Sequence, residues 1–180
     1  MRPAVIGIHG LSRVGKDTVA NFIISKYFGY RYGLADPIKA MLSAGLGIHM
    51  DAPYWSSRKE EIIPALGKSP RQMMQTLGTE WGRQLVHTNL WVTLARDQLL
   101  RRGPGMIVSD IRFENEATWV RDIGGVIIHV VRGDAPAVSK HLSENSIVRD
   151  PQDRVLLNNS SLEDLRHATH ELLDGLMGSP

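Results

Sequence analysis

The sequence predicts a three-layer α/β fold, in which a five-stranded, mainly parallel sheet carries helices on both faces. Strand-like and helix-like runs alternate along the chain, as they do in parallel sheets covered on both sides. The 180 residues, of which 42% are hydrophobic, suffice for one well-buried domain over residues 1–180. The predicted strands are residues 3–8, 30–34, 105–109, 125–131 and 153–157.

The first predicted strand leads into a glycine-rich loop. Residues 10–18 read Gly-Leu-Ser-Arg-Val-Gly-Lys-Asp-Thr, and a helix-like run follows them. Glycines at both ends allow a tight loop whose backbone N–H groups bind the phosphates of a nucleotide. Lys16 adds an ammonium group, which we expect to be solvated until phosphate binds. The predicted nucleotide-binding residues are Gly10, Ser12, Arg13, Val14, Gly15, Lys16, Asp17 and Thr18.

The loop departs from its commonest form at one position. Asp17 stands where a magnesium-binding hydroxyl usually follows the lysine, and the hydroxyl is displaced to Thr18. This order resembles that of nucleoside monophosphate kinases and related small-molecule kinases more than that of GTPases or motor ATPases. Asp17, Thr18 and Asp110 are the predicted Mg²⁺ ligands, directly or through water.

Polar residues follow the next two strands, at the edge of the sheet where ligands bind. Asp36 and Lys39 come after the second strand, and Asp110 and Arg112 after the third. Asp110 matches a Walker B carboxylate, or it caps the following helix. Asp36 positions or deprotonates an acceptor, or it caps the helix that Pro37 opens.

A helical insertion of about residues 36–102 separates the second and third strands, divided by Pro, Gly and Ser residues at 64–70. A single helix after Pro70 places an apolar stripe on one side and a polar row on another. The stripe consists of Met74, Leu77, Trp81 and Leu85. The row consists of Arg71, Gln75, Thr79 and Arg83. Its arginines suit a phosphorylated nucleoside, and the alternative is a solvated outer face.

The segment of about 132–151 has the position of a lid over the site. Its basic candidates are Arg132, Arg149 and Lys140, and the alternative is an ordinary surface loop. His141 is expected to contact the substrate or to form a structural hydrogen bond with Glu144 or the backbone. The last helix is predicted to start at Ser160 or Ser161, where Ser160 and Glu163 would form a capping box. His167 and His170 on that helix are predicted to be surface residues rather than metal ligands.

Composition excludes several classes of protein. The absence of cysteine excludes disulfides and thiolate metal sites, and the net charge of +2 does not indicate nucleic-acid binding. We see no signal peptide and no run of transmembrane length. We therefore expect a cytoplasmic protein with a small-molecule substrate and no nucleic-acid or membrane partner. The oligomeric state is left open, a homodimer included.

Five segments in order along nearly the whole chain carry a family resemblance. They are residues 10–18, Leu-Ala-Asp-Pro-Ile-Lys at 34–39, Ser-Pro-Arg-Gln-Met-Met-Gln-Thr-Leu-Gly-Thr-Glu at 69–80, Val-Ser-Asp-Ile-Arg-Phe-Glu-Asn-Glu-Ala at 108–117 and His-Leu-Ser-Glu at 141–144. Together they resemble the phage-type deoxynucleoside monophosphate kinases. The resemblance implies a P-loop kinase-like fold and transfer of the γ-phosphoryl group of MgATP to a deoxynucleoside monophosphate.

The resemblance also implies roles for residues. Residues 10–18 would hold the ATP phosphates, and the catalytic candidates are Lys16, Asp36, Asp110 and Arg132. The candidates for the acceptor side are Asp36, Lys39, Arg71, Gln75, Thr79, Arg83, Asp110, Arg112 and His141. One alternative is a P-loop kinase for another small acceptor, of the phosphomevalonate or dephospho-coenzyme-A type. Another is a nucleotide-dependent switch or a DNA-associated ATPase, although the sequence has no Asn-Lys-x-Asp motif and Ile111 rather than glutamate follows Asp110.

Overall fold

The structure is a computed structural model that describes residues 3–27, 29–133 and 147–178. Its sheet has five strands in the order β2-β3-β1-β4-β5, and each neighbouring pair is parallel. The strands are β1 (Val5–His9), β2 (Tyr30–Tyr32), β3 (Met106–Ile111), β4 (Val126–Val131) and β5 (Arg154–Leu157). All five predicted strands are confirmed, with shifts of at most two residues at their ends.

Seven α-helices and one π-helical segment accompany the sheet in the described part of the chain. The helices are α1 (Lys16–Tyr27), α2 (Asp36–Leu46), α3 (Pro53–Ser57), α4 (Pro70–Gln75), α5 (Leu90–Arg102), α6 (Glu114–Asp122) and α7 (Leu162–Met177). The π-helical segment, Thr76–Val86, continues directly from α4. None of these helices combines the length and the apolar character that a crossing of a lipid bilayer requires.

Helices cover both faces of the sheet, as predicted. Ile6 and Ile8 of β1 pack in one buried cluster with Val19 and Ile23 of α1 and Leu173 of α7. Successive side chains of a strand point to opposite faces. Gly7, which lies between Ile6 and Ile8, therefore faces the other way, where α6 contacts β1 and β4.

The contacts divide the chain into two compact units. One, the sheet unit, comprises Met1–Gly33 and Ala95–Pro180, and the other, the insertion unit, comprises Leu34–Leu94. The insertion unit has its own small core of Leu42, Ile48 and Met50, against which Met73, Met74 and Leu77 are packed, among others.

The helix after Pro70 is only partly the one predicted. It begins as expected, with Ser69 as N-cap in a reciprocal capping box with Gln72. From Thr76, however, its hydrogen bonds are of the π type, with more than four residues to each turn. The predicted apolar stripe fails in this segment, because Trp81 is exposed and Leu85 is 78% exposed.

Two glycines explain the change of the packed face. The Trp91 ring lies against Gly82, so closely that a Cβ atom there would collide with it. Trp91 Nε1 also donates a hydrogen bond of 2.8 Å to the Gly78 carbonyl oxygen. The buried residues of the segment are therefore Gly78, Thr79 and Gly82. The glycines serve the packing of the insertion unit.

The last helix begins one residue later than its predicted capping box. Its N-cap is Ser161, whose Oγ accepts a 3.1 Å hydrogen bond from the Asp164 backbone N–H. Asp164 Oδ2 in turn accepts from the Ser161 N–H at 3.1 Å. The predicted pair of Ser160 and Glu163 is therefore wrong. The observed start places Leu165 in the core.

Candidate active site

The glycine-rich loop joins β1 to α1 and is bent at three residues with positive φ. These are Gly10 at 153°, Arg13 at 66° and Gly15 at 98°. A Cβ atom on Gly10 would collide with the carbonyl oxygen of Val130. Only glycine satisfies both the backbone angle and the close approach. The loop thus ends at the N-terminus of α1, the arrangement that binds phosphate.

Lys16 is not solvated in the absence of ligand, contrary to our expectation. Its Nζ donates hydrogen bonds to the carbonyl oxygens of Gly10 at 2.8 Å and Leu11 at 2.7 Å. The ammonium group is therefore held against the loop backbone.

Asn158, which follows β5, supports the loop from another side. Its Nδ2 donates a 2.9 Å hydrogen bond to the Val14 carbonyl oxygen, and a Cβ on Gly15 would lie 2.6 Å from the same nitrogen. Sequence reasoning missed Asn158. Its only signal is its place at the carboxyl end of a strand.

Arg31 is a second residue that sequence reasoning missed. It lies in β2, donates through Nε to Ser109 Oγ at 2.9 Å and forms an ion pair with Asp17. One guanidinium group thus joins the first turn of α1 to the end of β3. The signal was a charged residue at the carboxyl end of a strand.

The end of β3 carries a bulge that sets the direction of Asp110. Gly7 pairs with Val108 and His9 with Ile111, so β3 has one extra residue between these pairs. Bulges re-aim side chains and are frequent next to active sites. The N-cap of α6 is Phe113 and that of α2 is Ala35. Neither Asp110 nor Asp36 therefore takes the N-cap position that was the alternative for it.

The turn after β3 is held by a buried carboxylate. Glu116 is 1% exposed, and its Oε2 accepts the backbone N–H groups of Arg112 at 2.7 Å and Phe113 at 3.0 Å. These bonds fix the backbone of Arg112, a predicted acceptor residue. Glu116 belongs to the quoted Asn-Glu sequence, but its role was not predicted.

The oxygen ligands of this edge suit magnesium. Asp17, Thr18 and Asp110 offer carboxylate and hydroxyl oxygens, and Mg²⁺ in such sites is held by one or two carboxylates together with substrate phosphates. Within residues 3–27, 29–133 and 147–178, no group of three or more His, Asp or Glu side chains could hold a metal by itself.

A buried polar network lies beside the loop, on the α6 face of the sheet. Arg121 binds Asp153 through Nε at 3.2 Å and Nη2 at 2.7 Å, and His129 Nε2 donates to Asp153 Oδ2 at 2.8 Å. The His129 ring packs edge-on against His9, whose Nδ1 donates to the Ile111 carbonyl oxygen at 2.9 Å.

Burial and pairing shift the pKa values in this network. Burial lowers the pKa of His9, despite its bond to the Ile111 carbonyl, and His129 and Lys16 lower it further. Burial alone would raise the pKa of Asp153. Hydrogen bonds from Arg121 and His129 outweigh it, so the Asp153 pKa lies below its usual value. The carboxylate is therefore ionised.

In the insertion unit, the polar row is turned away from solvent. Arg71, Gln75 and Arg83 are half-buried and Thr79 is buried, whereas Gln72, Thr76, Glu80 and Gln84 are exposed. Arg71 is paired with Glu60, and Arg83 Nη1 donates to the Thr88 carbonyl oxygen at 3.3 Å. These burial values do not fit a solvated outer face.

Asp36 and Lys39 lie together on α2. Lys39 Nζ is 3.2 Å from Asp36 Oδ1 and 3.1 Å from Asp51 Oδ1. Burial alone would lower the Lys39 pKa, but its bonds to Asp51 and its pairing with Asp36 raise it. Asp51, from a stretch with no recognised motif, was not among the predicted residues.

The remaining candidates are placed as follows. Arg132 and Arg149 are exposed and flank residues 134–146, whereas Lys140, His141 and Glu144 lie outside the described residues. His167 is an exposed residue, 3.1 Å from Glu171, in line with its predicted surface role. For His170 the prediction of a surface residue is wrong, because its side chain is half-buried and its ring packs edge-on against Phe22.

The sequence is similar to those of known proteins of one family. The family described as "Deoxynucleotide monophosphate kinase" matches residues 4–63 and 60–169. The chain belongs to this family. Its relatives include the deoxynucleotide monophosphate kinase of Enterobacteria phage T4, which is 28% identical over 89% of this chain and 95% of its own. The deoxynucleoside-5'-monophosphate kinase of Escherichia phage T5 is 26% identical over 79% and 84%.

Solved structures agree with the fold. The dephospho-CoA kinase from Campylobacter jejuni matches 98% of this chain and 98% of its own with a TM-score of 0.51 and 12% sequence identity. At that identity the likeness shows the P-loop kinase fold alone. The resemblance to the deoxynucleotide monophosphate kinases that the five sequence segments indicated is confirmed by the family match.

Proposed function

We propose that this protein transfers the γ-phosphoryl group of ATP to a deoxynucleoside 5'-monophosphate, giving the deoxynucleoside diphosphate and ADP. The observation that carries the proposal is the phosphate-binding loop of residues 10–18 in a chain of the deoxynucleotide monophosphate kinase family. Its bent backbone at the start of α1 and its backbone-bound Lys16 provide the chemistry that such a transfer requires.

The donor end uses the loop and the adjoining strand ends. Lys16 and the loop N–H groups draw negative charge from the β- and γ-phosphates. Asp17, Thr18 and Asp110 would hold Mg²⁺, which neutralises charge on the same phosphates when bound. Arg31 keeps Asp17 oriented against the end of β3. Arg132, which is exposed, is the basic candidate for contact with the transferred group.

The acceptor end needs binding more than acid–base chemistry. A phosphate monoester has a second pKa of about 6 and is largely ionised at neutral pH, so a strong general base is unnecessary. Asp36 therefore positions the acceptor. Arg71 and Arg83, in the half-buried row, suit the acceptor phosphate because a guanidinium group binds two of its oxygens at once. Gln75, Thr79, Lys39 and Arg112 complete the acceptor candidates, and His141 remains one of them.

The acceptor row can be tested at Arg83. Replacing it with lysine should raise the KM for the monophosphate about tenfold, since one charge-assisted hydrogen bond of about 1.5 kcal/mol is lost. The KM for ATP should not change. Arg96→Lys, on the exposed side of α5, is the matched control. Equal small changes in the KM values for both substrates would indicate that the polar row has a structural role.

The function itself is tested by acceptor dependence. Purified protein with MgATP should release ADP rapidly only when a deoxynucleoside monophosphate is added, and chelation of magnesium should stop the reaction. Ribonucleotides, dephospho-coenzyme A and mevalonate phosphate serve as competing acceptors. We expect free nucleotides in the host cytoplasm, rather than nucleic acid or membrane, to be the substrates.

Two outcomes would contradict the proposal. Turnover with dephospho-coenzyme A or mevalonate phosphate and with no nucleotide would favour another small-molecule kinase. ATP hydrolysis stimulated by DNA, with no phosphorylated small product, would overturn the kinase assignment.

A further inference from the structure

An open groove runs along one side of α2 in the insertion unit. Its volume is about 400 Å³, and it is lined by Asp36, Lys39, Ser43, His49, Met50 and Asp51, with Ala40. The first three lie on one face of α2, at positions separated by three and four residues. The other three belong to the segment that follows α2.

The polar groups of the groove are oriented by bonds to one another. Lys39 Nζ stands between the carboxylates of Asp36 and Asp51 at 3.2 and 3.1 Å. Ser43 Oγ and His49 Nδ1 share a hydrogen bond of 2.8 Å, which fixes the imidazole ring. The groove therefore presents acceptors and a donor in a set arrangement.

The charge of the groove excludes a phosphate as its main occupant. Two carboxylates and one ammonium group sum to a net charge of −1, which repels a phosphate dianion. The same groups suit the edge of a neutral ring system. Carboxylates accept hydrogen bonds from amino and ring N–H groups, and an ammonium group donates to carbonyl oxygens and ring nitrogens.

The size and apolar surface of the groove agree with a planar ring. Small-molecule pockets have volumes of about 300–1,000 Å³, and combine apolar surface with a few placed polar groups. Met50, which is buried, supplies a sulfur-containing side chain beside the polar groups. Thioether sulfur packs well against aromatic rings.

We propose that the groove of α2 binds the nucleobase of the acceptor nucleotide, and that Asp51 and His49 are residues that determine which base is preferred. This inference rests on the proposed function, because the acceptor there is a nucleotide. In this inference Asp36, Lys39 and the segment after α2 bind the base of the acceptor. The arginines of the polar row, Arg71 and Arg83, bind its phosphate.

The test compares bases. For the parent protein and the variant Asp51→Asn, kcat/KM is measured with dAMP, dGMP, dCMP and dTMP at saturating MgATP. The amide has the shape of the carboxylate but also donates hydrogen bonds, so it can pair with hydrogen-bond acceptors on a base that a carboxylate cannot bind. We expect the ratio of kcat/KM between at least two bases to change about tenfold, which is about 1.4 kcal/mol. The KM for ATP should stay the same.

The matched control is Asp97→Asn in α5. Asp97 is an exposed carboxylate in an ion pair of 2.8 Å with Arg101, but it does not line the groove. It should leave all four values unchanged. If Asp51→Asn leaves the four kcat/KM values unchanged, or lowers them by one common factor, the groove reads no base and the inference is wrong.

A binding measurement separates this inference from the proposed function. Calorimetric titration with the four deoxynucleosides, which carry no phosphate, does not depend on turnover. Binding that Asp51→Asn alters for some bases and not for others supports the groove even if no transfer to a nucleotide occurs. If the deoxynucleosides do not bind, or bind equally to both proteins, the groove assignment fails even when transfer occurs.

Discussion

The sheet unit and the insertion unit each contain a cluster of acidic and basic side chains, but the two clusters differ in their exposure to solvent. In the sheet unit, Arg121 and His129 meet Asp153, whose side chain is only 1% exposed. In the insertion unit, Lys39 meets Asp36 and Asp51, and the Asp51 side chain is 80% exposed. The first cluster is closed to solvent, and the second is open to it.

Because of this difference in exposure, we expect the first cluster to contribute to stability and the second to ligand binding. A buried ion pair has lost its hydration, so removal of one partner leaves a charge that neither water nor protein neutralises. An exposed pair is screened by water and contributes little to folding. The closed cluster should therefore hold the sheet unit together beside the phosphate-binding loop, whereas the open cluster leaves its polar groups accessible to a ligand.

The largest expected effect comes from breaking the closed cluster. Asp153→Ala should lower the free energy of unfolding by about 3–5 kcal/mol, because four hydrogen bonds to its buried carboxylate are lost and Arg121 keeps, among the described ion pairs, only that with the half-exposed Glu114. Denaturant titration monitored by circular dichroism measures it. Asp97→Ala, which removes an exposed partner of Arg101, should cost less than about 1 kcal/mol. Equal losses in the two variants would contradict the comparison.

Lys16 should show the reverse behaviour, with a large effect on turnover and little on folding. Lys16→Ala should slow phosphoryl transfer at least ~100-fold, by analogy with the loss of one preorganised donor. The unfolding transition should be unchanged, because the hydrogen bonds lost are to loop carbonyls that solvent can replace.

Lys26→Ala serves as the control for this prediction. Lys26 is a lysine of the same helix that pairs with Asp174, and its replacement should leave turnover intact. Near-normal transfer by a folded Lys16→Ala protein would contradict the assignment of residues 10–18 as a phosphate-binding loop.

The insertion unit should depend on packing at glycine more than on charge. Gly82→Ala forces a Cβ atom into the Trp91 ring and should destabilise the protein by about 1–3 kcal/mol. Gly175→Ala in α7, where no atom lies within 4 Å of the added carbon, should instead stabilise it by about 0.4–1 kcal/mol. Thermal unfolding of both variants is the measurement. A Gly82→Ala protein as stable as the parent would mean that the π-helical packing is not needed.

These glycines also show where the sequence is a poor guide. The strands were predicted because runs of β-branched residues mark them locally, and the loop was predicted because its glycine and lysine spacing is a local pattern. The π-helical segment was not predicted, because the residues that it buries pack against Trp91, which lies beyond the segment in the sequence. The exposed Leu85 was placed in a buried stripe for the same reason.

The supporting residues of the site were hidden from the sequence in a similar way. Arg31 and Asn158 act through partners more than 70 and 140 residues away, at Ser109 and Val14. A single arginine or asparagine at the end of a strand has no pattern of its own. Their roles depend on the order of the strands in the sheet, which places the ends of β2 and β5 on either side of the loop.

The smallest expected effect is a pH dependence that belongs to the sheet unit. Burial lowers the pKa of His9 below its ordinary value of 6.5, so the unfolded chain takes up a proton at a higher pH than the folded protein does. Stability from His9 is therefore fully present above about pH 6.5 and declines as the pH falls toward the lowered pKa. His9→Asn, which keeps an N–H donor for the Ile111 carbonyl, should remove this part of the decline.

The measurement is the free energy of unfolding of both proteins between pH 8 and pH 5. This window lies above that of Asp153, whose lowered pKa costs stability only as the pH falls below its usual value of 3.8. The parent should lose more stability than His9→Asn across the window. Parallel curves would show that protonation of His9 is not coupled to folding.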